Sequence, residues 1–317
     1  MDLLTFIIRN SMNSTNSWPS LPYEKWNDTL DSLHMKMQII GKVKLALNPF
    51  LNHWWQVAFY LNMRGMTTGL IPYEDGVFEI EFNFIDHNLS VRLSNNQFKV
   101  IPLSPAPVAT FYSDFMDILK SMGINVVINT LPCEVPDPVK FELDNGEKSY
   151  DKDFVHIWWK ILIQIQKVFE NFRSGFRGKS SPVHFFWGSF DLCETRFSGK
   201  TCAIPVGAGN ILKFAENEEN FTFGFWPGDK NYPHAAFYSY FYPAPEGIET
   251  PGNNGKNYYD NSMKEYILDY QKVIDSRNPE ESILKFLNET YDIGAKAAGW
   301  DVESLKAEIP VKHQVYG

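Results

Sequence analysis

Side chains able to do chemistry are most concentrated in Lys179–Gly199, KSSPVHFFWGSFDLCETRFSG, which sets His184, Asp191 and Arg196 among aromatic residues. Histidine and carboxylate are common partners in proton transfer, and a guanidinium is a planar fork suited to a carboxylate or phosphate. Read as one regular strand over Pro182–Phe190, the stretch turns His184 to the face of Phe186 and Phe190. Trp187, Ser189 and Asp191 then share the opposite face. His184 and Asp191 cannot form a dyad within such a strand, so His184 needs a partner from another element, and His53 is the candidate. Catalytic roles are therefore expected of His184, His53 and Asp191. Substrate-binding roles are expected of Arg64 and Arg196, clamping an anionic group, and of Trp187, Trp226, Tyr238 and Tyr240, walling a pocket. Each also has a plain structural reading: a satisfied buried histidine, an Asp191–Arg196 ion pair, aromatic core filling.

No strong catalytic or cofactor fingerprint accompanies these residues. Val206-Gly207-Ala208-Gly209-Asn210 lacks the third glycine of a dinucleotide loop. Trp187 and Asp191 stand where a nucleophile elbow around Ser189 needs glycines. His34, His53, His87 and His184, with Asp86 or Asp191, could supply imidazole and carboxylate ligands. No pair has ligand spacing, and neither a metal nor a cofactor is assigned. Glu79 and Glu81 share a strand face as a potential acid–base pair, although a solvated face beside Arg92 explains them as well.

These residues must be positioned by the rest of the chain. Asp28 can cap a helix whose apolar positions Leu30, Leu33, Met37 and Ile40 recur at helical spacing. His53–Arg64 alternates as a strand. Val77–Ile85 and Leu89–Leu93 form a hairpin; a two-residue loop at His87-Asn88 would set Phe84 opposite Val91. Phe98–Pro102 is a short strand, and a helix opened by Pro107 buries Val108, Phe111, Phe115 and Leu119. Asn125–Ile128 reads as a buried strand. Asp151 to about Phe176 is the longest helix, with a broad apolar stripe from Phe154 to Phe172. Gly199–Asn220 reads as a polar insert, followed by strands Phe221–Trp226 and Ala235–Tyr242 and a loop from Pro243 to Lys256. Glu265–Leu268 is a short strand, and a final helix opens at Asn278-Pro279.

Each half of the chain thus runs helix, strands, helix. HWWQVAFYLNMRGMTTG (His53–Gly69) and HFFWGSFDLCETRFSG (His184–Gly199) both start His-aromatic-aromatic and reach an Arg, a hydroxyl residue and a Gly. This reads as a weak internal duplication; the alternative is that any two aromatic strands look alike. The divisions are a mobile leader (1–20), two helix–strands–helix halves (21–144 and 145–308) and a tail (309–317). The expected fold class is α+β: a largely antiparallel sheet covered by about four main helices.

Composition narrows the partners. A formal charge of −9 disfavours a nucleic-acid backbone. Aromatic residues at 15% favour a sheet-rich core. Cys133, Cys193 and Cys202 are an odd set without CxxC, which fits free thiols in a reducing cytoplasm. MDLLTFIIRN fails the requirements of a signal peptide, and no apolar run is long enough to span a membrane.

The strings WPSLPYEKWNDTLDSLHMKMQIIGKVKLAL (Trp18–Leu47), NHWW (Asn52–Trp55), FIDH (Phe84–His87), SPVHFFWGSFDL (Ser181–Leu192), TRFSG (Thr195–Gly199), GFWPGD (Gly224–Asp229) and AFYSYFYPAPEG (Ala236–Gly247) resemble a family of bacterial and fungal proteins of unknown function. The resemblance covers nearly all of the chain after the leader and carries no reaction. From the residues, the leading expectation is an intracellular enzyme acting on a small anionic or aromatic substrate in an aromatic-lined pocket. A non-catalytic small-molecule binding or sensing protein is the rival, and an interaction scaffold without a pocket the third reading.

Overall fold

The computed structural model describes residues 18–74, 76–204, 206–248 and 258–308. The expected leader, apart from Trp18–Ser20, and the tail lie outside them, as does part of the Pro243–Lys256 loop.

The α+β class holds, with the strands divided between two antiparallel sheets. The first follows helix α1 (Asn27–Leu47) and is a meander of β1 (Tyr60–Leu61), β2 (Gly65–Tyr73), β3 (Gly76–Asn83), β4 (Asn88–Leu93) and β5 (Phe98–Pro102). Helix α2 (Val108–Ser121) follows β5, and helix α3 (Lys152–Ser174) precedes the second sheet. The second sheet comprises β6 (His184–Phe186), β7 (Asp191–Thr201), β8 (Glu218–Trp226), β9 (Ala236–Tyr242), β10 (Tyr259–Asp260) and β11 (Glu265–Asp269), in the spatial order β10-β11-β9-β8-β7-β6. A short helix α4 (Asn210–Ala215) lies between β7 and β8; α5 (Tyr270–Ile274), α6 (Pro279–Ala297) and α7 (Val302–Leu305) complete the described chain. Phe59 and Phe185 exchange both backbone hydrogen bonds at 2.8 Å and join the two sheets edge to edge at β1 and β6.

The long helices form where their apolar spacing places them. Helix α3 is capped by Asp151, which accepts from the Asp153 and Phe154 amides, and α6 by Asn278, with Pro279 in its first turn. Between them α3 and α6 cover one face of the second sheet. Phe172 meets Phe223 and Tyr291 meets Phe221, edge-on and stacked respectively. Helix α1 has no single apolar face. It is buried nearly all round, lysines included, as a central helix must be.

Several local expectations are corrected. Asn52–Val57 is a 3-10 turn with His53 and Trp54 at φ 59°, and strand geometry begins only at Tyr60. In the β3–β4 hairpin Phe82 faces Leu89 and Asn83 faces Asn88, so the register is shifted from that expected. The cause is a longer loop, tied by Asn83 Oδ1, which accepts from the Ile85 and Asp86 amides. The shift is even, so each face keeps its residues. Asn125–Ile128 has no regular structure, and Val127 is exposed. The Gly199–Asn220 insert is shorter than expected, because β7 runs on to Thr201 and β8 starts at Glu218. The strand expected over Pro182–Phe190 ends at Phe186, where a turn with Phe190 at φ 61° leads into β7. The two strings that begin His-aromatic-aromatic therefore fold differently, one as a 3-10 turn and one as a strand.

Candidate functional site

Alternation along β7, β8 and β9 gives the second sheet two unlike faces. Leu192, Phe221, Phe223, Phe225, Phe237 and Phe241 are buried on the helix-covered side. Asp191, Cys193, Thr195, Asn220, Thr222, Tyr238 and Tyr240 line a cavity of about 720 Å³ on the other, joined by Glu265 of β11. Its roof comes from elsewhere: Trp54 and Trp55 of the 3-10 turn, Ile211 and Leu212 of α4, Trp187 of the β6–β7 turn, Glu134, and Lys42 of α1.

Helix α1 positions much of this roof. Gln38 donates to the Cys133 carbonyl at 2.7 Å and accepts from the Cys133 amide at 3.0 Å, fixing the loop that carries Glu134. The His34 ring bonds the Gly188 carbonyl at 2.9 Å. The Trp187 indole lies flat on Gly41, where a Cβ would come within 2.1 Å of the ring, and its N–H donates to the Val57 carbonyl at 3.0 Å. Only a residue without a side chain admits that approach. On the far side Trp54 Nε1 donates to the Ile211 carbonyl at 2.9 Å, and its ring meets Phe214 edge-on, seating α4 over the opening.

Four carboxyl groups converge on this enclosure. Asp191 accepts from the Ser189 and Tyr238 hydroxyls. Burial raises its proton affinity, while these donors and the Cys193 thiol oppose the rise. Among the described residues Glu265 has no such donors; burial, and then the neighbouring Asp191, push it up to about 7. Glu134 is raised by the same two causes. Glu216 is raised by burial against bonds from Asn220 Nδ2 at 2.6 Å and the Tyr240 hydroxyl at 3.3 Å. Two carboxyls in one low-dielectric space, one held by donors and one not, form the arrangement that separates a base from an acid.

The expected site residues divide. Asp191, His53, Trp187, Trp226, Tyr238 and Tyr240 all line the cavity. His53 is already engaged there: one ring nitrogen bonds the Ala215 carbonyl at 2.9 Å, and the other faces Lys179 Nζ at 2.9 Å. Burial first, then Lys179, lowers its pKa. His184 is fully buried behind the cavity wall, with both ring nitrogens unpartnered among the described residues; burial, then Lys44 and Arg173, hold it down to about 3. It does not meet His53; Trp55 stands between, its ring 5.5 Å from His53 and 6.5 Å from His184. The parity expected within the focal stretch is also reset. Phe186 pairs with Asp191 across the ladder, so His184 and Asp191 share a face after all.

Both arginines lie away from the cavity. Arg64 pairs with Asp86 on the first sheet. Arg196 is on the helix-covered face, where its guanidinium sits 3.5 Å from the Phe172 ring centre, donates to the Phe172 carbonyl at 2.7 Å and pairs with Glu194 at 3.4 Å. The Asp191–Arg196 pair is thus replaced by Glu194–Arg196, its members two residues apart on one strand face. Glu79 and Glu81 bond Thr67 and Asn62 on the first sheet. Among the described residues no cluster of three or more His, Cys, Asp or Glu is set to hold a metal ion, and no helix is long and apolar enough to cross a membrane.

Glu134, Glu216, Glu265 and Lys42 were not expected. Each belongs to a segment remote in sequence from Asp191. Two carried a weak signal: Glu265 opens a strand, and Lys42 falls within a helix too apolar for its lysines to be exposed. No curated protein and no solved structure matches the chain. The profile of a family of unknown function, DUF5996, matches residues 18–307, which take in both sheets, the four long helices and the whole cavity lining, and the chain therefore belongs to that family.

Proposed function

We propose that the chain is an enzyme acting by acid–base chemistry on a small molecule held in this cavity. The observation that carries the reading is the pairing of Asp191, held by protein donors, with Glu265, which lacks them among the described residues, inside one aromatic-walled space. Asp191 takes the part of the charged base and Glu265 that of the acid still protonated near neutrality. The volume lies in the range of small-molecule sites. Trp54, Trp55, Trp187 and Trp226 favour an aromatic or otherwise flat apolar body. Four carboxyls against one lysine favour a ligand that is neutral or positively charged. Of the two substrate classes expected, the aromatic one is thereby supported; the anionic one lacks both arginines. The free thiols support a reducing, cytoplasmic setting.

The test is a screen of small aromatic fragments by ligand-observed NMR against the wild-type chain and Thr222→Trp. Thr222 sits on the cavity floor, so an indole there obstructs the floor between Thr195 and Tyr240 while leaving α1 and the roof untouched. Fragments that bind the wild type and are lost from a folded Thr222→Trp chain support the reading. Binding that is unchanged in that variant, or absent from both, overturns it. A ligand that binds tightly, and for which no turnover follows even at saturating concentration, replaces the enzyme reading by the sensing one.

A further inference from the structure

We infer that Lys42 is a nucleophilic amine that captures the carbonyl carbon of an aldehyde or ketone bound in the cavity. The inference rests on the cavity being a small-molecule site, and it names the class of molecule. Helix α1 carries three buried lysines, Lys36, Lys42 and Lys44, exposed by 1%, 6% and 4%. Two are committed. Lys36 donates to Ser32 Oγ at 2.6 Å and lies over the Phe111 ring, and Lys44 donates to the Ala58 carbonyl. Among the described residues Lys42 has no hydrogen-bond or ion-pair partner, and it shares the cavity lining with Cys133, Glu134 and Trp187. A lysine buried without a counter-ion is poorly solvated as a cation, which favours the free amine. Burial indeed lowers its proton affinity, with the Cys133 thiol opposing.

The chemistry closes without a further reagent. The amine lone pair forms the N–C bond, and the carbonyl π pair moves to oxygen, which takes up a proton as the nitrogen loses one. A protonated carboxyl in the lining then donates to that hydroxyl; the C–O bond breaks, water leaves, and an iminium remains on Lys42. Glu265 and Glu134, both raised in proton affinity, are the available donors. Hydrolysis reverses the sequence, so the amine is regenerated. An aromatic carbonyl compound would satisfy both the tryptophan walls and the amine.

The test is reductive trapping: benzaldehyde with cyanoborohydride at neutral pH, followed by peptide mapping of the labelled lysines. The expected result is early, predominant labelling of Lys42, loss of that adduct in Lys42→Met with surface labelling unchanged, and its loss in folded Thr222→Trp, which keeps the lysine but obstructs the cavity floor. Labelling of Lys42 no faster than of exposed lysines, or unaltered in Thr222→Trp, overturns the inference. Fragment binding that persists without Lys42 labelling defeats the inference alone; failure of both binding and labelling defeats the pocket reading as well.

Discussion

Gly224 offers the sharpest test of how the cavity floor is built. It faces Tyr238 across the β8–β9 ladder, and the Tyr238 ring lies over it: a Cβ at position 224 would stand 2.2 Å from Tyr238 Cζ and 2.3 Å from its hydroxyl. A ring tip can ordinarily swing aside at little cost. Here the hydroxyl is held by buried Asp191, and Tyr240 lies parallel alongside with ring centres 6.2 Å apart. Gly224→Ala should gain about 0.5–1 kcal/mol from the stiffer backbone. Against this stand about 1–3 kcal/mol of overpacking and about 1–3 kcal/mol for leaving a buried acceptor one donor short. The strain terms win, and the net loss is on the order of 3 kcal/mol, their midpoints less the backbone gain. Urea unfolding should show a lower midpoint at unchanged slope. In a Tyr238→Leu background, which lacks the clashing atoms, Gly224→Ala should become neutral or mildly stabilising. Equal losses in both backgrounds, or a wild-type midpoint for Gly224→Ala alone, would refute the reasoning.

Three further outcomes follow from the buried charges. Arg196→Met should cost about 3–5 kcal/mol, because it strands Glu194 in the core, and adding Glu194→Leu should restore most of the midpoint; a double variant weaker than the single would contradict this. His184→Phe should raise stability at pH 7 by about 1 kcal/mol, since two unpartnered nitrogens are removed. The folded pKa of His184, about 3, lies below its ordinary 6.5, so stability falls as pH drops from 6.5 towards 3; His184→Phe should flatten that acid limb in unfolding curves, and an unchanged limb would count against it. Glu265 has the opposite sign. Its folded pKa of about 7 lies above the ordinary 4.5, so its effect is harmless below 4.5, and stability falls as pH rises from there to 7. The gap between wild type and Glu265→Gln should widen by about 3 kcal/mol across that window, and a pH-independent gap would rule out the raised carboxyl.

Faces were legible in the sequence; registers and turns were not. Alternation at Phe78, Ile80 and Phe82 assigned the buried side of β3 correctly even though the hairpin pairing was shifted, because an even shift conserves faces. The same period misled at His53–Arg64. There the alternating Trp55, Val57 and Phe59 belong to a 3-10 turn and its exit, where left-handed His53 and Trp54 bring neighbouring tryptophans to one cavity. Such conformations leave little trace in residue type, since neither position is glycine. Asp191, Trp187, Trp226, Tyr238 and Tyr240 could be picked out because they interrupt or edge aromatic strands. Glu134 and Glu216 could not, because a lone carboxylate in a polar segment looks like any solvated one until the fold buries it.

The focal stretch shows how far a single turn can change a functional reading. Extended as one strand, it separates His184 from Asp191 and leaves Asp191 beside Arg196 at the exit. The turn after Phe186, with Phe190 left-handed, resets the parity. Asp191 then falls on the cavity face with Cys193 and Thr195, while Glu194 and Arg196 fall on the helix face. The charge balance of the site follows from that reset. The guanidinium goes to the core, where phenyl rings and Glu194 hold it, and the cavity keeps the carboxylates and Lys42. A phosphate or carboxylate ligand would have needed the arginine on the other face. The neutral carbonyl compound proposed above does not, which is how the position of one turn bears on the proposed ligand class.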